Sequence, residues 1–387
     1  MAKAIPRNKV SDVRGVGKLA VEAAVGLTGV VENLHHNITR RPAPLGAPVR
    51  EPMTGISGFV YRSIRFAART AGGGVDFLLG QVAPFLAHEP SSRKREAVLA
   101  ALNGVLGDHL AQSANPLAIA MRLRRHGQDL ELTAPALASA VPHPASRVFV
   151  LIHGLCLNDL QWLRRGHDHG AALERDAPAG RPLTALYLHY NSGRPIATNG
   201  RELAQLLESL CRNWPVPLEE LVIVGHSMGG LVARSACEHA REDGHAWPAR
   251  LRGMAFLGTP HSGAPMERGG NWIDVTLDAS PYTAAFARLG RVRSAGITDL
   301  RHGSRVALPA GVECLAIAGS LARRPGTLGE RLAGDGLVPL ESALGHGAGP
   351  EGRDLFAAGD TWVANRVGHL ALLDSGRVYR ELRNRFC

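Results

Sequence analysis

Aromatic residues are scarce in this chain: Phe, Tyr and Trp together make up 5% of its 387 residues. Lysine is scarcer still, occurring only at Lys3, Lys9, Lys18 and Lys94, so arginine carries nearly all the positive charge. With a formal net charge of +10, nucleic acid or an anionic membrane surface comes into view as a partner. The arginines are scattered, however, with no interleaved aromatics and no nucleic-acid-binding motif, so the expectation is no nucleic-acid partner.

Cysteine is also sparse. The five residues Cys156, Cys211, Cys237, Cys314 and Cys387 are widely spaced, odd in number and form no CxxC pair. That pattern suits reduced, buried thiols in a cytoplasmic protein better than a disulfide framework or a metal site. An uncharged run of about 18 apolar residues, the length a spanning helix needs, is missing. The basic N-terminus precedes an apolar stretch at 19–31, but Glu22 interrupts it and no small-residue cleavage site follows. Glycine and proline show no fixed period, which excludes a collagen-like repeat. A hydrophobic fraction of 45% and a charged fraction of 20% leave an ordinary globular chain with a sizeable core.

Residues 1–112 read as an N-terminal helical region. Val13, Val16, Ala20, Ala23, Leu27, Val30 and Leu34 recur at spacings of three and four, which places them on one helix face. After a Pro-rich break at 41–52, the stretch 56–71 carries an apolar stripe (Val60, Ile64, Ala67) and a basic one (Arg62, Arg65, Arg69). An apolar segment at 75–87 follows, then a fourth beginning near Ser92, a natural N-cap. A basic amphipathic helix suits either a subdomain surface or peripheral contact with an anionic membrane.

From about 113 the pattern becomes that of an α/β fold. A hairpin is expected around His126-Gly127. Nearly all-apolar runs follow at 148–152, 183–188, 221–224, 251–257 and 312–318, separated by helical stretches at 199–212 and 228–241. Such runs suit strands covered on both faces, hence a mostly parallel sheet with helices on both sides. The stretch 263–308, poor in strand signals but holding Trp272, Tyr282 and Phe286, is expected to cover the sheet's edge as a lid or cap.

The chemistry concentrates at Gly225-His226-Ser227-Met228-Gly229. A serine in a sharp turn between a buried strand and a helix presents its hydroxyl above the sheet, at a helix N-terminus facing developing negative charge. Such a nucleophile needs a base, and His369 precedes the final helix, where a loop after the last strand belongs. His346 and His302 are the rival histidines. A carboxylate between Ser227 and His369 in the chain must orient that base, and Asp335 in Gly334-Asp335-Gly336 has the right place after the run 312–318. Asp274, Asp278, Asp354 and Asp360 compete with it. Backbone donors to an oxyanion are expected at Met228 and at Leu155 in His153-Gly154-Leu155-Cys156, with Cys156 as the alternative. His167-Asp168-His169 has metal-like spacing without an identifiable third ligand, and reads instead as a loop rich in helix-capping groups.

These motifs, with Leu257-Gly258-Thr259-Pro260-His261-Ser262-Gly263 and Gly334-Asp335-Gly336-Leu337-Val338-Pro339, resemble the α/β-hydrolase superfamily over about 145–375. Within it they resemble bacterial lipase and esterase-like proteins, including the group similar to GPI inositol-deacylases. The resemblance implies a catalytic triad of Ser227, Asp335 and His369, oxyanion donors at Leu155 and Met228, and no cofactor or metal. It also implies a small-molecule or lipid ester as substrate. The alternatives are an acyltransferase or thioesterase with the same triad, or a membrane-associated interaction protein that retains hydrolase motifs.

Overall fold

The structure is a computed structural model in which residues 93–264, 294–322 and 334–387 are described. The chain divides into two compact units, one of residues 1–95 and 113–117 and the other of residues 96–112 and 118–387. The second carries the sheet. Most of the expected N-terminal helical region (residues 1–92), and residues 265–293 of the expected lid or cap, lie outside the described residues. The helix expected from Ser92 onward is α1 (Arg93–Gln112), whose residues from Glu96 onward cluster with the sheet-bearing unit.

Eight strands form one sheet: β1 (Arg122–Arg125), β2 (Gln128–Asp129), β3 (Arg147–Ile152), β4 (Thr184–His189), β5 (Glu220–His226), β6 (Leu251–Leu257), β7 (Glu313–Ser320) and β8 (Thr361–Asn365). Their spatial order is β2-β1-β4-β3-β5-β6-β7-β8. The hairpin β1–β2 and its pairing with β4 are antiparallel, and every other pairing is parallel. His126 and Gly127 both take positive φ in the hairpin turn, and the pairing joins Arg124 to Asp129 and Arg125 to Gln128.

The five apolar runs become β3 to β7, each almost wholly buried. Alternate side chains of one strand feed two cores, as a two-residue period requires. Val148, Val150 and Ile152 pack with Leu203 and Leu207 of α4 (Ile196–Asn213) and with Leu231 and Val232 of α5 (Met228–Glu242). Phe149 and Leu151 face the other side, where α3 (His169–Arg175) contributes Leu173 and α8 (Gly376–Phe386) contributes Val378, Leu382 and Phe386. Truncating one such residue, for example Leu207→Ala, costs roughly 2–5 kcal/mol. Helices thus cover both faces, as the continuous apolar runs predict.

Shorter helices complete the chain order: α2 (Ala134–Ala140), α6 (Ala295–Asp299) and α7 (Leu340–Ala343). Two elements escape the sequence patterns. Helix α2 is only seven residues long and buries one leucine, Leu137. Strand β8 sits at the sheet edge with four of its five residues half-buried, so it lacks the apolar run that marks its neighbours.

The chain leaves β3 for β4 on one side and returns to β5 on the other. Loops after the carboxyl ends of β3 and β5 therefore diverge and open a crevice, the place where open α/β sheets hold their ligands.

Candidate active site

Strand β5 ends at His226 and α5 starts at Met228, which leaves one residue for the reversal. Ser227 makes it with φ 53° and ψ −125°, a left-handed conformation that costs on the order of 1–3 kcal/mol for a residue with a Cβ. Its N–H donates to the Leu257 carbonyl at 2.8 Å and its carbonyl accepts from the Gly230 N–H at 3.1 Å. A Cβ on Gly225 would stand 2.6 Å from the Gly230 backbone, so only glycine lets strand and helix approach this closely. The sequence pattern and the backbone agree on a strained strand-to-helix elbow.

The loop after β3 runs directly above it. A Cβ on Gly154 would lie 2.9 Å from the Cβ of Ser227. Met228 is the first residue of α5, so its N–H has no partner within the helix. Of the two loop donors weighed from sequence, Cys156 is committed elsewhere, because its N–H donates to the Ser192 hydroxyl at 3.0 Å. Burial also pushes its thiol up to about 12. Leu155 stands beside it on the wall of the same cavity as Ser227.

The segment leaving β4 grips this loop at three points. The Tyr190 hydroxyl donates to the His153 carbonyl at 2.8 Å, with the two rings stacked 4.4 Å apart. Ser192 holds Cys156, and His189 lies 3.0 Å from the Asp159 carboxylate. Arg124 joins Asp159 and Glu96 of α1 at 3.1 Å each, within the same buried cluster. The positive guanidinium and His189 hold the Asp159 carboxyl below its ordinary range despite burial. His153 itself is pushed down to about 3, chiefly by burial, so it stays neutral.

Asp335 lies in the loop after β7, and His369 begins a 3₁₀ turn (His369–Leu373) after β8. The Asp335 Oδ2 is 2.7 Å from Nδ1 of His369. Its Oδ1 accepts from the N–H groups of Leu337 and Val338 at 3.0 and 2.8 Å. The His369 N–H in turn donates to the Asp335 carbonyl at 3.0 Å. Because the carboxylate can only accept, the His369 hydrogen belongs on Nδ1, leaving Nε2 as the acceptor.

Two histidines hold the turn from beneath. His226 Nε2 donates to the His369 carbonyl at 3.1 Å, and the two rings lie 4.7 Å apart. His169 Nε2 donates to the Leu372 carbonyl at 2.8 Å. Burial drives His226 well below the ordinary histidine range, so it adds no positive charge beside His369. Sequence patterns give no sign of the reach of His169, because 203 residues separate it from its partner.

Ser227 and His369 line one cavity, together with Gly154, Leu155, Leu157, His226, Leu337 and Leu370. Its volume is about 10 Å³, room for about one water, and its walls are largely apolar.

Three of the competing residues, His346, Asp354 and Asp360, are engaged elsewhere. His346 pairs with Asp354 at 2.9 Å on the exposed surface. His302 is exposed. Asp360 pairs with Arg385. Asp274 and Asp278 lie outside the described residues. Asp168 caps α3 through the Ala171 N–H at 3.0 Å and takes the Tyr187 hydroxyl at 2.6 Å. Among the described residues, no helix is long and apolar enough to cross a membrane.

This strand order, with helices on both faces and a serine elbow at the end of a central strand, defines the α/β-hydrolase fold. Within the chain, residues 196–308 match the family model of the PGAP1-like alpha/beta domain. No curated protein matches the chain in sequence. Among solved structures, the lipase BlEst2 of Bacillus licheniformis in its mature form is 15% identical, covering 62% of this chain and 93% of its own, with a TM-score of 0.41. The type II thioesterase YbtT of the yersiniabactin pathway is 15% identical over 63% of this chain and 94% of its own, with a TM-score of 0.40. An esterase from Thermogutta terrifontis is 18% identical over 62% and 89%, with a TM-score of 0.36. At these scores the assignment of site residues rests on the chain's own geometry.

Proposed function

We propose that the protein is a serine hydrolase of carboxylic esters whose acid part is apolar, a small-molecule or lipid ester. His369 Nε2 takes the proton of the Ser227 hydroxyl as Oγ attacks the ester carbonyl. The N–H groups of Leu155 and Met228 receive the oxyanion. Asp335 keeps the imidazole in the required tautomer and stabilises it once charged. As the tetrahedral intermediate collapses, His369 returns the proton to the departing alcohol and an acyl-enzyme remains on Ser227. Water, deprotonated by His369, then attacks the acyl carbonyl, and the proton passes back to Oγ as the free acid leaves.

The observation that carries this reading is the buried Asp335–His369 pair at 2.7 Å, on a turn that shares one cavity with the strained Ser227. Leu155, Leu157, Leu337 and Leu370 around that cavity support an apolar acyl group. The test is hydrolysis of p-nitrophenyl butyrate by the wild type and by Ser227→Ala. The substitution is expected to abolish turnover with the circular-dichroism spectrum and Tm retained; unchanged turnover would reject the assignment.

A further inference from the structure

We infer that His169, backed by His167, is a positioning residue for the turn that carries His369. This inference rests on the triad reading proposed above.

The direction of the hydrogen bonds follows from one acceptor-only end. A main-chain carbonyl cannot donate, so the 2.8 Å contact between His169 Nε2 and the Leu372 oxygen requires the hydrogen on Nε2. Burial pushes His169 down to about 4, so at neutral pH the ring has a single hydrogen and Nδ1 presents a lone pair. That nitrogen lies 2.8 Å from His167 Nε2, which must therefore donate. The result is a directed chain from His167 to His169 to the Leu372 carbonyl.

Its far end falls inside the turn His369–Leu373, three residues beyond His369. The other carbonyl gripped in that turn, at His369 itself, is taken by His226 from β5. Two buried imidazoles from different elements thus hold the first and fourth residues of one 3₁₀ turn. The ring of His169 is itself held in place, lying parallel to Tyr379 of α8 at 6.3 Å and edge-on to Trp162 at 6.5 Å. The HDH motif is then fully used: Asp168 caps α3 while its two neighbours form the chain.

A general base must stay within hydrogen-bond reach of the hydroxyl it deprotonates. Displacement by about 1 Å can cost on the order of a hundredfold in rate. Without the donor at His167, His169 Nδ1 loses its partner, and the ring is held at one nitrogen only, by the Leu372 carbonyl. His167 does not line the Ser227 cavity, so its effect on the reaction is indirect.

The experiment compares wild type, His167→Ala and His167→Gln in steady-state hydrolysis of p-nitrophenyl butyrate and in the rate of Ser227 labelling by a fluorophosphonate. His167→Ala is expected to lower kcat and the labelling rate together by roughly tenfold with KM unchanged, a fraction of the cost of a 1 Å displacement. His167→Gln, which keeps an amide donor, is expected to recover most of that loss. Wild-type kcat and labelling in His167→Ala, a change confined to KM, or no recovery in His167→Gln would each overturn the inference. His169→Leu against His169→Gln supplies a second pair, with the same rescue expected if both fold. A wild-type enzyme that neither turns over the ester nor labels at Ser227 would sink the triad reading instead, so the two failures are distinguishable.

Discussion

The two oxygens of Asp335 do different things: Oδ2 stands 2.7 Å from Nδ1 of His369, while Oδ1 accepts from the N–H groups of Leu337 and Val338. This division decides what Asp335→Asn does. The amide oxygen keeps the two backbone donors, so the NH₂ group must face His369. Nδ1 is then forced to accept and Nε2 to carry the hydrogen, which leaves no base toward Ser227. Steady-state kinetics are expected to show kcat reduced about 10³- to 10⁴-fold with KM little changed. A loss below tenfold would contradict the tautomer argument.

Gly154 tests the contact between the loop after β3 and the elbow. A methyl there would meet the Ser227 Cβ at 2.9 Å and the His226 Nδ1 at 3.3 Å. One of the three must move, and a shift approaching 1 Å costs on the order of a hundredfold in rate. Gly180→Ala is the control, since nothing lies within 4 Å of its added Cβ. Ester hydrolysis is expected to fall steeply in Gly154→Ala and to stay at the wild-type level in Gly180→Ala.

The buried histidines predict the direction of acid sensitivity. Burial lowers His169 to about 4 and His153 to about 3, and takes His226 and His261 well below their ordinary 6.5. Between 6.5 and those depressed values the unfolded chain binds protons that the folded chain refuses. Stability is therefore fully present above 6.5 and is lost as pH falls through that window, by about 1.4 kcal/mol per pH unit for each titrating histidine. Urea midpoints measured at pH 7.5, 6 and 5 are expected to decline in that order. A midpoint that rises toward pH 5 would contradict neutral burial of these rings.

The thiols give an independent check on the core. Cys156, Cys237 and Cys314 are buried and pushed up to about 12, with no disulfide partner among the described residues. In native protein at pH 8 these three are expected to resist Ellman's reagent and to react fully once the chain is unfolded. Rapid native reaction mapped to Cys156 would mean that the loop beside Leu155 is open.

The parts legible in the sequence are those whose physics is local. Strands β3 to β7 are almost wholly covered, so each shows as a nearly continuous apolar run, and β6 falls on 251–257 as expected. The elbow is visible because glycine, serine and glycine must be neighbours for the turn to exist. Strand β8 is not legible, because an edge strand needs cover on one side only and Thr361, Trp362 and Val363 remain half-buried. The support under His369 is hidden for another reason. His169 and Leu372 meet across 203 residues, and no spacing rule operates at that separation. The short-range pattern around His169, two histidines about an aspartate, has metal-like spacing but reads as a loop rich in helix-capping groups, and Asp168 does cap α3.

The central claim is that Ser227 is a nucleophile activated by His369. Labelling of the native protein with a fluorophosphonate, followed by mass mapping of the modified peptide, tests it most directly. The account predicts a single adduct on Ser227 that fails to form in His369→Ala. An adduct on another residue, or undiminished labelling without the imidazole, would contradict it.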